Sequence, residues 1–254
     1  MIVQELGFRY PRRSVFTIDY VNLDIRKNHI TGLFGPNGSG KTTLLKCMVG
    51  LLKNTKGSIK VNDVEVSQME AVERATNFAY VPQELELNMP FTVFDVVAMG
   101  RNYCQKSMYL TKEDEELTSS VLEKLNIEHL KNEFFTELSG GQRQLVSIAR
   151  AVNQQSDYLF LDEPVSNLDY SNAHMIWKNL RKLKEERKTI VVSSHDPNHI
   201  LRYCDEVVLM TGGKIIDKGS PREVITEKNL QLLFNIPVKI GSIDDDIIVI
   251  PYDN

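Results

Sequence analysis

Residues 35–43 read Gly35-Pro36-Asn37-Gly38-Ser39-Gly40-Lys41-Thr42-Thr43. Gly35, Gly40, Lys41 and Thr42 match a glycine, four residues, then Gly-Lys-Ser/Thr, the spacing of a phosphate-binding loop. Glycines leave no side chain in the way, so the loop can turn its backbone N–H groups inward and let phosphate oxygens approach to hydrogen-bond distance. A helix starting near Lys41 adds its N–H groups and about half a positive charge at its first turn. Lys41 then reaches the terminal phosphates, and the Thr42 hydroxyl completes a magnesium shell. His29-Ile30-Thr31-Gly32-Leu33-Phe34 before the loop reads as a short buried strand, and Thr42-Thr43-Leu44-Leu45-Lys46-Cys47-Met48 after it as a helix. Strand, glycine loop, helix is the order the pattern requires.

The rest of the composition narrows the class. With 254 residues and 42% hydrophobic content the chain can build one large or two small domains with a full core. Its net charge is −4, with acidic and basic residues interspersed and no basic stripe, so nucleic acid is not expected as its main ligand. Cys47, Cys104 and Cys204 lie far apart and form no C-x-x-C pair, which reads as buried thiols in a reducing compartment rather than a disulfide framework or zinc site. No apolar run approaches the roughly 18 to 20 residues of a membrane span, and the start Met-Ile-Val-Gln-Glu lacks a cationic, apolar leader. The expected location is the cytoplasm, with a membrane reached only through partners.

Along the chain, residues 1–30 alternate apolar and polar as in Val15-Phe16-Thr17-Ile18-Asp19-Tyr20-Val21, and Gly57 to Val66 repeats the texture, so a small antiparallel sheet is expected beside the phosphate-binding core. Phe8, Tyr10 and Phe16 precede the loop, and one of them could stack on a purine; an aromatic in a strand serves as readily in a core. Phe78-Ala79-Tyr80-Val81-Pro82-Gln83 is a strand closed by proline and followed by a polar glutamine. From Glu84 to about residue 137 the texture turns helical, with Thr92 and Asp95 as a cap and Lys112 to Leu125 at helical spacing.

Leu138-Ser139-Gly140-Gly141-Gln142 follows. Ser139 and Gln142 form a capping box before a long helix, and the two glycines make its start a second potential phosphate site or a plain cap and turn. Tyr158-Leu159-Phe160-Leu161-Asp162-Glu163 is an apolar strand that ends in two acids at the edge where open α/β sheets bind ligands. Asp162 fits a carboxylate that holds magnesium, and Glu163 one that polarises a water for attack on a γ-phosphate. Ser166-Asn167-Leu168-Asp169 is a turn, Tyr170 to Arg187 a helix, and Thr189 to Ser194 a buried strand that ends at His195-Asp196. Glu206 to Ile215 reads as a hairpin, and Asp244-Asp245-Asp246 as a solvated turn before a last strand at Ile247-Ile248-Val249-Ile250.

In this order, the phosphate loop, Gln83, Leu138 to Gln142, Asp162-Glu163, Ser166 to Asp169 and His195 resemble the ATP-binding subunits of ABC transporters, from about Val3 to Ile240. The resemblance implies an α/β fold: a P-loop NTPase core of mostly parallel sheet flanked by helices, with an N-terminal antiparallel β subdomain and a helical insertion. It divides the chain into 1–83 with 154–240 as the RecA-like core and β subdomain, 84–153 as the helical subdomain, and 241–254 as a tail. It also implies ATP and Mg²⁺ as cofactors. Tyr10 then resembles the aromatic that stacks on adenine, and Gly35, Pro36, Asn37, Gly38, Ser39, Gly40, Lys41, Thr42 and Thr43 the loop that holds the phosphates. Thr42, Gln83 and Asp162 resemble the magnesium set, Glu163 the catalytic base, and His195 the switch histidine at the γ-phosphate. Ser139, Gly140, Gly141, Gln142 and Asp169 would serve nucleotide across a head-to-tail homodimer, with two ATP molecules between the copies.

Phe91-Thr92-Val93-Phe94-Asp95-Val96-Val97-Ala98-Met99-Gly100-Arg101, and Arg202-Tyr203-Cys204-Asp205 with Gly219-Ser220-Pro221-Arg222-Glu223-Val224, are similar to the importer branch for iron chelates, haem, vitamin B12 and, in some members, molybdate. That branch often has a proline-histidine step after Gly-Arg, where this chain has Asn102-Tyr103-Cys104. The partners so implied are a polytopic permease dimer and, through it, a substrate-binding protein. The competing expectation is a soluble ABC-type ATPase acting on a nucleic-acid or ribosomal assembly, although this chain has none of the coiled-coil arms, cluster cysteines or second cassette of that class.

Overall fold

The computed structural model describes residues 1–11, 14–101, 110–244 and 246–252; Asn102-Tyr103-Cys104 and Asp245 lie outside the described residues. In chain order the elements are β1 (Ile2–Phe8), β2 (Ile18–Asp24), β3 (Ile30–Phe34), α1 (Lys41–Met48), β4 (Lys56–Val61), β5 (Val64–Glu65), α2 (Ala71–Asn77), β6 (Phe78–Val81), α3 (Val93–Ala98) and α4 (Lys112–Lys124). They continue with α5 (Gly140–Asn153), β7 (Tyr158–Leu161), α6 (Tyr170–Glu185), β8 (Thr189–Ser194), α7 (Pro197–Tyr203), β9 (Glu206–Thr211), β10 (Lys214–Gly219), α8 (Pro221–Val224), α9 (Glu227–Phe234), β11 (Val238–Ile243) and β12 (Asp246–Pro251). Two compact units result, one of Met1–Gln68 with Thr189–Asn254, the other of Met69–Lys188.

In the first unit, β2, β1, β4 and β5 form the antiparallel sheet expected of the N-terminal alternation. Val21 and Leu23 point inward along β2 while their neighbours face out, the period-two pattern of a half-buried strand, and Ile18 is buried out of phase with them across an irregularity at Tyr20, which adopts φ 56°. A second sheet runs β10, β9, β3, β8, in which β3 pairs parallel with β8 on one side and β9 on the other. Every residue of β3 and β8 is buried, as continuous apolar runs in a parallel sheet require. Gly32 is needed within β3 because α7 lies against it: a Cβ there would stand 2.5 Å from Ile200 Cδ1 and 3.0 Å from Cys204 Sγ.

The end of the first unit is structured. β11 and β12 pair as an antiparallel hairpin, and Val238 and Val249 join Phe34, Ile200, Leu209 and Leu233 in one hydrophobic cluster. Asn198 in α7 treats β12 as an extra strand would: its amide donates to the Val249 carbonyl at 3.3 Å, and its Oδ1 accepts the Val249 N–H at 2.8 Å.

In the second unit, β6 and β7 pair parallel, and α3, α4 and α5 pack together. The helical texture expected from Glu84 begins only at Val93. Pro82 and Pro90 bracket residues 83–89, which take no regular structure, and the capping box of Thr92 and Asp95 then starts α3. α6 likewise stops at Glu185, before Arg187, which adopts φ 67°. The Gly100-Arg101 pair has a packing reason. A Cβ on Gly100 would meet the Arg150 carbonyl oxygen at 2.2 Å, and Arg101 pairs with the buried Asp114 at 2.9 Å while its Nη1 donates to the Asn153 carbonyl at 3.2 Å. Among the described residues no helix is long and apolar enough to cross a membrane.

Candidate functional site

Parallel pairing brings candidate residues out at a common edge in each unit. In the first unit Phe34 of β3 is in register with Ser194 of β8, so the chain leaves the two strands side by side at Gly35 and His195. In the second, Val81 of β6 is in register with Leu161 of β7, and Gln83 and Asp162-Glu163 follow the same pair of strand ends. These are carboxyl ends of parallel strands, where α/β sheets place their ligands.

Residues 35–40 form the loop between β3 and α1. Gly35 has no alternative, since a Cβ there would lie 2.1 Å from the Met210 carbonyl oxygen. Gly40 is the N-cap of α1 at φ 103°, a left-handed backbone that brings no side-chain oxygen to the helix start. No acidic residue stands in the first turn, so nothing there opposes an incoming polyanion. Ser39 is 3% exposed and its Oγ has no hydrogen-bond partner, an uncommon state for a buried hydroxyl and one that a phosphate oxygen would relieve. The Lys41 ammonium, also buried, donates to the Gly35 carbonyl at 2.8 Å and the Pro36 carbonyl at 3.2 Å, and so spans the loop it would serve. Glycine conformation, an unsatisfied hydroxyl, a buried cation and an acid-free helix start together fit a nucleotide's phosphates.

The three N-terminal aromatics part company. Phe8 is buried in the sheet core, and Phe16 lies beneath Arg9 and Lys56, 5.8 and 5.3 Å from its ring centre. Tyr10 is half-buried, edge-on to Phe8 at 4.8 Å, and its hydroxyl shares a 3.2 Å hydrogen bond with Thr43 Oγ1 in the first turn of α1. His195 is exposed beyond β8. Asp196 after it caps α7, accepting the Asn198 N–H at 2.8 Å, and burial lowers the pKa of His199 in that helix despite Asp196 beside it.

In the second unit Asp162 is 3% exposed and accepts the Tyr80 hydroxyl at 3.2 Å. Glu163 follows at φ 45°, a left-handed conformation unfavourable for glutamate. Ser166 holds that turn, donating its N–H at 3.1 Å and its hydroxyl at 2.9 Å to the Glu163 carbonyl. Gln83 Nε2 in turn donates to Ser166 Oγ at 3.3 Å, so the glutamine touches the segment that carries the two acids. Tyr80, the half-buried position of β6, carries no local signal of a site role, and Ser166 stood out only as the first residue of the 166–169 turn.

At the start of α5 the capping box forms as expected: Ser139 N–H donates to Gln142 Oε1 at 2.9 Å, and Gln142 N–H to Ser139 Oγ at 3.3 Å. Again no acid stands in the first turn. Ser139 and Gly140 are exposed, and a Cβ on Gly140 would meet nothing within 4 Å. Gly141 is buried under Asn172 of α6, whose N-cap is Asp169. A cleft of about 460 Å³ opens beside Gln83, lined among others by Leu85, Leu87, Phe135, Gln144 and Asn167.

Comparison with known proteins places this geometry. The ABC transporter family profile matches residues 18–166. A protein of Helicobacter pylori strain J99 described as a probable iron chelatin transport ATP-binding protein is 36% identical over 251 residues, 97% of each chain. The petrobactin import ATP-binding protein of Bacillus subtilis is 34% identical over 244 residues, 96% of each. Among solved structures, a chain of an ABC transporter assigned to the metal-chelate type, in an inward-facing conformation, superposes with a TM-score of 0.86 at 29% identity, covering 99% of this chain and 96% of that one. By sequence and by backbone alike, this chain belongs to the ABC transporter family, as a P-loop ATP-binding cassette whose ATPase activity is coupled to transport.

Proposed function

We propose that the chain is the energy-coupling subunit of an importer for a metal chelate, working as a head-to-tail homodimer on a membrane permease at the cytoplasmic face. The phosphate loop carries the reading of ATP as fuel: an unsatisfied buried hydroxyl at Ser39 and a buried ammonium at Lys41 wait where a polyanion would sit. The names of the two relatives and the type of the similar transporter support the cargo class.

The roles divide by chemistry. Residues 35–43 cradle the phosphates with backbone N–H groups, and Lys41 exchanges its loop carbonyls for phosphate oxygens. Tyr10, tied to Thr43, offers its ring to the purine. Thr42, Asp162 and Gln83 would hold the magnesium ion, which when bound neutralises phosphate charge. Glu163 orients and deprotonates the attacking water, while His195 stabilises the terminal phosphate as charge develops. Ser139, Gly140, Gly141, Gln142 and Asp169 meet the nucleotide of the other copy, so that ATP joins the copies and loss of the γ-phosphate releases them. The cleft beside Gln83, walled by Glu84, Glu86 and Arg143 as well as Leu85 and Leu87, offers the permease a mostly polar surface through which a change in nucleotide state would pass to it.

To test this, the Glu163→Gln protein is tagged and extracted from its native membranes in mild detergent with Mg·ATP. A polytopic membrane protein recovered in equal amount is the expected result. Recovery of only soluble protein or RNA would overturn the importer reading and favour an ATPase of a cytosolic assembly.

A further inference from the structure

We infer that Asn172 is a positioning residue: it fastens the start of α5 to the Asp169 turn of the same chain, so that both reach a partner copy's nucleotide as one body. The inference rests on the ATP-sandwich reading above.

Asp169 caps α6 with both carboxylate oxygens. Oδ1 accepts the Asn172 N–H at 2.8 Å, which is all an N-cap requires. Oδ2 accepts the Asn172 side-chain amide at 2.6 Å, a charge-assisted bond that holds the side chain in one orientation. The amide so held lies on Gly141. A Cβ built on Gly141 would stand 2.6 Å from Asn172 Cγ and 2.7 Å from its Nδ2, so glycine and amide touch with no room for a methyl group between them. Gly140 beside it faces open space, which leaves its exposed side for a ligand and the Gly141 side for Asn172.

One planar, half-buried side chain thus carries a hydrogen bond to the Asp169 turn and a van der Waals contact to the second glycine of α5. If the turn shifts, the amide moves with its carboxylate partner and the helix start must follow or part from it. Asparagine suits the task because it is short enough to lie flat on the glycine and still donates to the aspartate. Asn172 touches no nucleotide in this scheme; it acts through Gly141 and Asp169.

The experiment uses the full chain carrying Glu163→Gln, whose ATP-dependent dimer is measured by sedimentation with ATP and Mg²⁺. Adding Asn172→Ala is expected to raise the dimer dissociation constant about tenfold, the effect of losing one such clasp at each of two interfaces. Monomer affinity for ATP and melting temperature should stay as they were. Gly141→Ala pushes into the same amide, so the cycle of Gly141→Ala with Asn172→Ala should be non-additive, the double variant dimerising no worse than Gly141→Ala alone. Additive losses, or an unchanged dimer in Asn172→Ala, would overturn the inference while leaving the sandwich intact. A Glu163→Gln protein that stays monomeric in Mg·ATP would overturn the sandwich reading and this inference with it.

Discussion

Glu163 sits at φ 45° with its carbonyl held twice by Ser166, so a neighbour in the same turn keeps its backbone in an unfavourable conformation. Glu163→Gln keeps that shape and removes the base; turnover is expected to fall by a hundredfold or more, on the order of what general base catalysis contributes, with ATP affinity unchanged in equilibrium binding. Lys41→Ala should do the reverse in the binding assay, weakening ATP by roughly ten- to a hundredfold through the loss of a charged donor. Wild-type turnover in the first variant or wild-type affinity in the second would refute these assignments. A third prediction concerns Cys47 in α1, whose thiol burial pushes up to about 12 from an ordinary value of 9.0. Below pH 9 the thiol is protonated in both folded and unfolded chains, and the native state keeps its full stability. Between about pH 9 and 12 the unfolded chain ionises there and the folded chain does not, so stability falls as pH rises. Melting temperatures from pH 8.5 upward should show that fall, and Cys47→Ala should lessen it; at pH 8 the native thiol should resist alkylation.

At the scale of elements, α3, α4 and α5 of the second unit are each started by a side-chain cap, and an ion pair ties α4 to the chain that follows α3. Thr92 with Asp95, Thr111 with Asp114 and Ser139 with Gln142 are three capping boxes, and Asp114 also carries the pair with Arg101, with side chains 2% and 13% exposed. Arg101→Ala takes the guanidinium from a buried carboxylate that keeps its hydrogen bonds from Thr111, and strips the Asn153 carbonyl and Gln155 amide oxygen of a donor. A loss of about 3–5 kcal/mol in urea unfolding is expected, with α3, α4 and α5 loosening first in hydrogen exchange. A loss under 1 kcal/mol would mean the pair is dispensable. The caps at Thr92 and Ser139 were legible because their spacing of three residues is local; the box of Thr111 with Asp114 has the same spacing and emerged only in the structure. The loop at 84–90 was misread as helical because charged and apolar residues alternate there without a period that decides, and two prolines settle the matter.

For the molecule as a whole, uptake separates the candidate cargoes. In cells that lack the chain, accumulation of an iron–siderophore complex should fall to background and return with the wild-type gene but not with Glu163→Gln, with haem, cobalamin and molybdate tested in parallel. Loss of one of these with iron–siderophore uptake unchanged would reassign the cargo within the metal-chelate class. Fold and family were readable in the chain itself: glycine spacing at 35–43, acids at the end of an apolar strand and the Ser139 box each state a local backbone requirement, and local requirements are written in consecutive residues. The sequence alone thus determined a P-loop ATPase of the ABC family and named residues 35–43 as the candidates for holding its phosphates. Contacts between distant residues were decided only in three dimensions. The register of β3 with β8 sets Gly35 beside His195, the Asn198 amide seats the hairpin of the C-terminal segment, and Asn172 lies on Gly141. None of these follows from periodicity or spacing, because a strand's register and a side chain's long-range partner depend on packing that the neighbouring sequence does not specify.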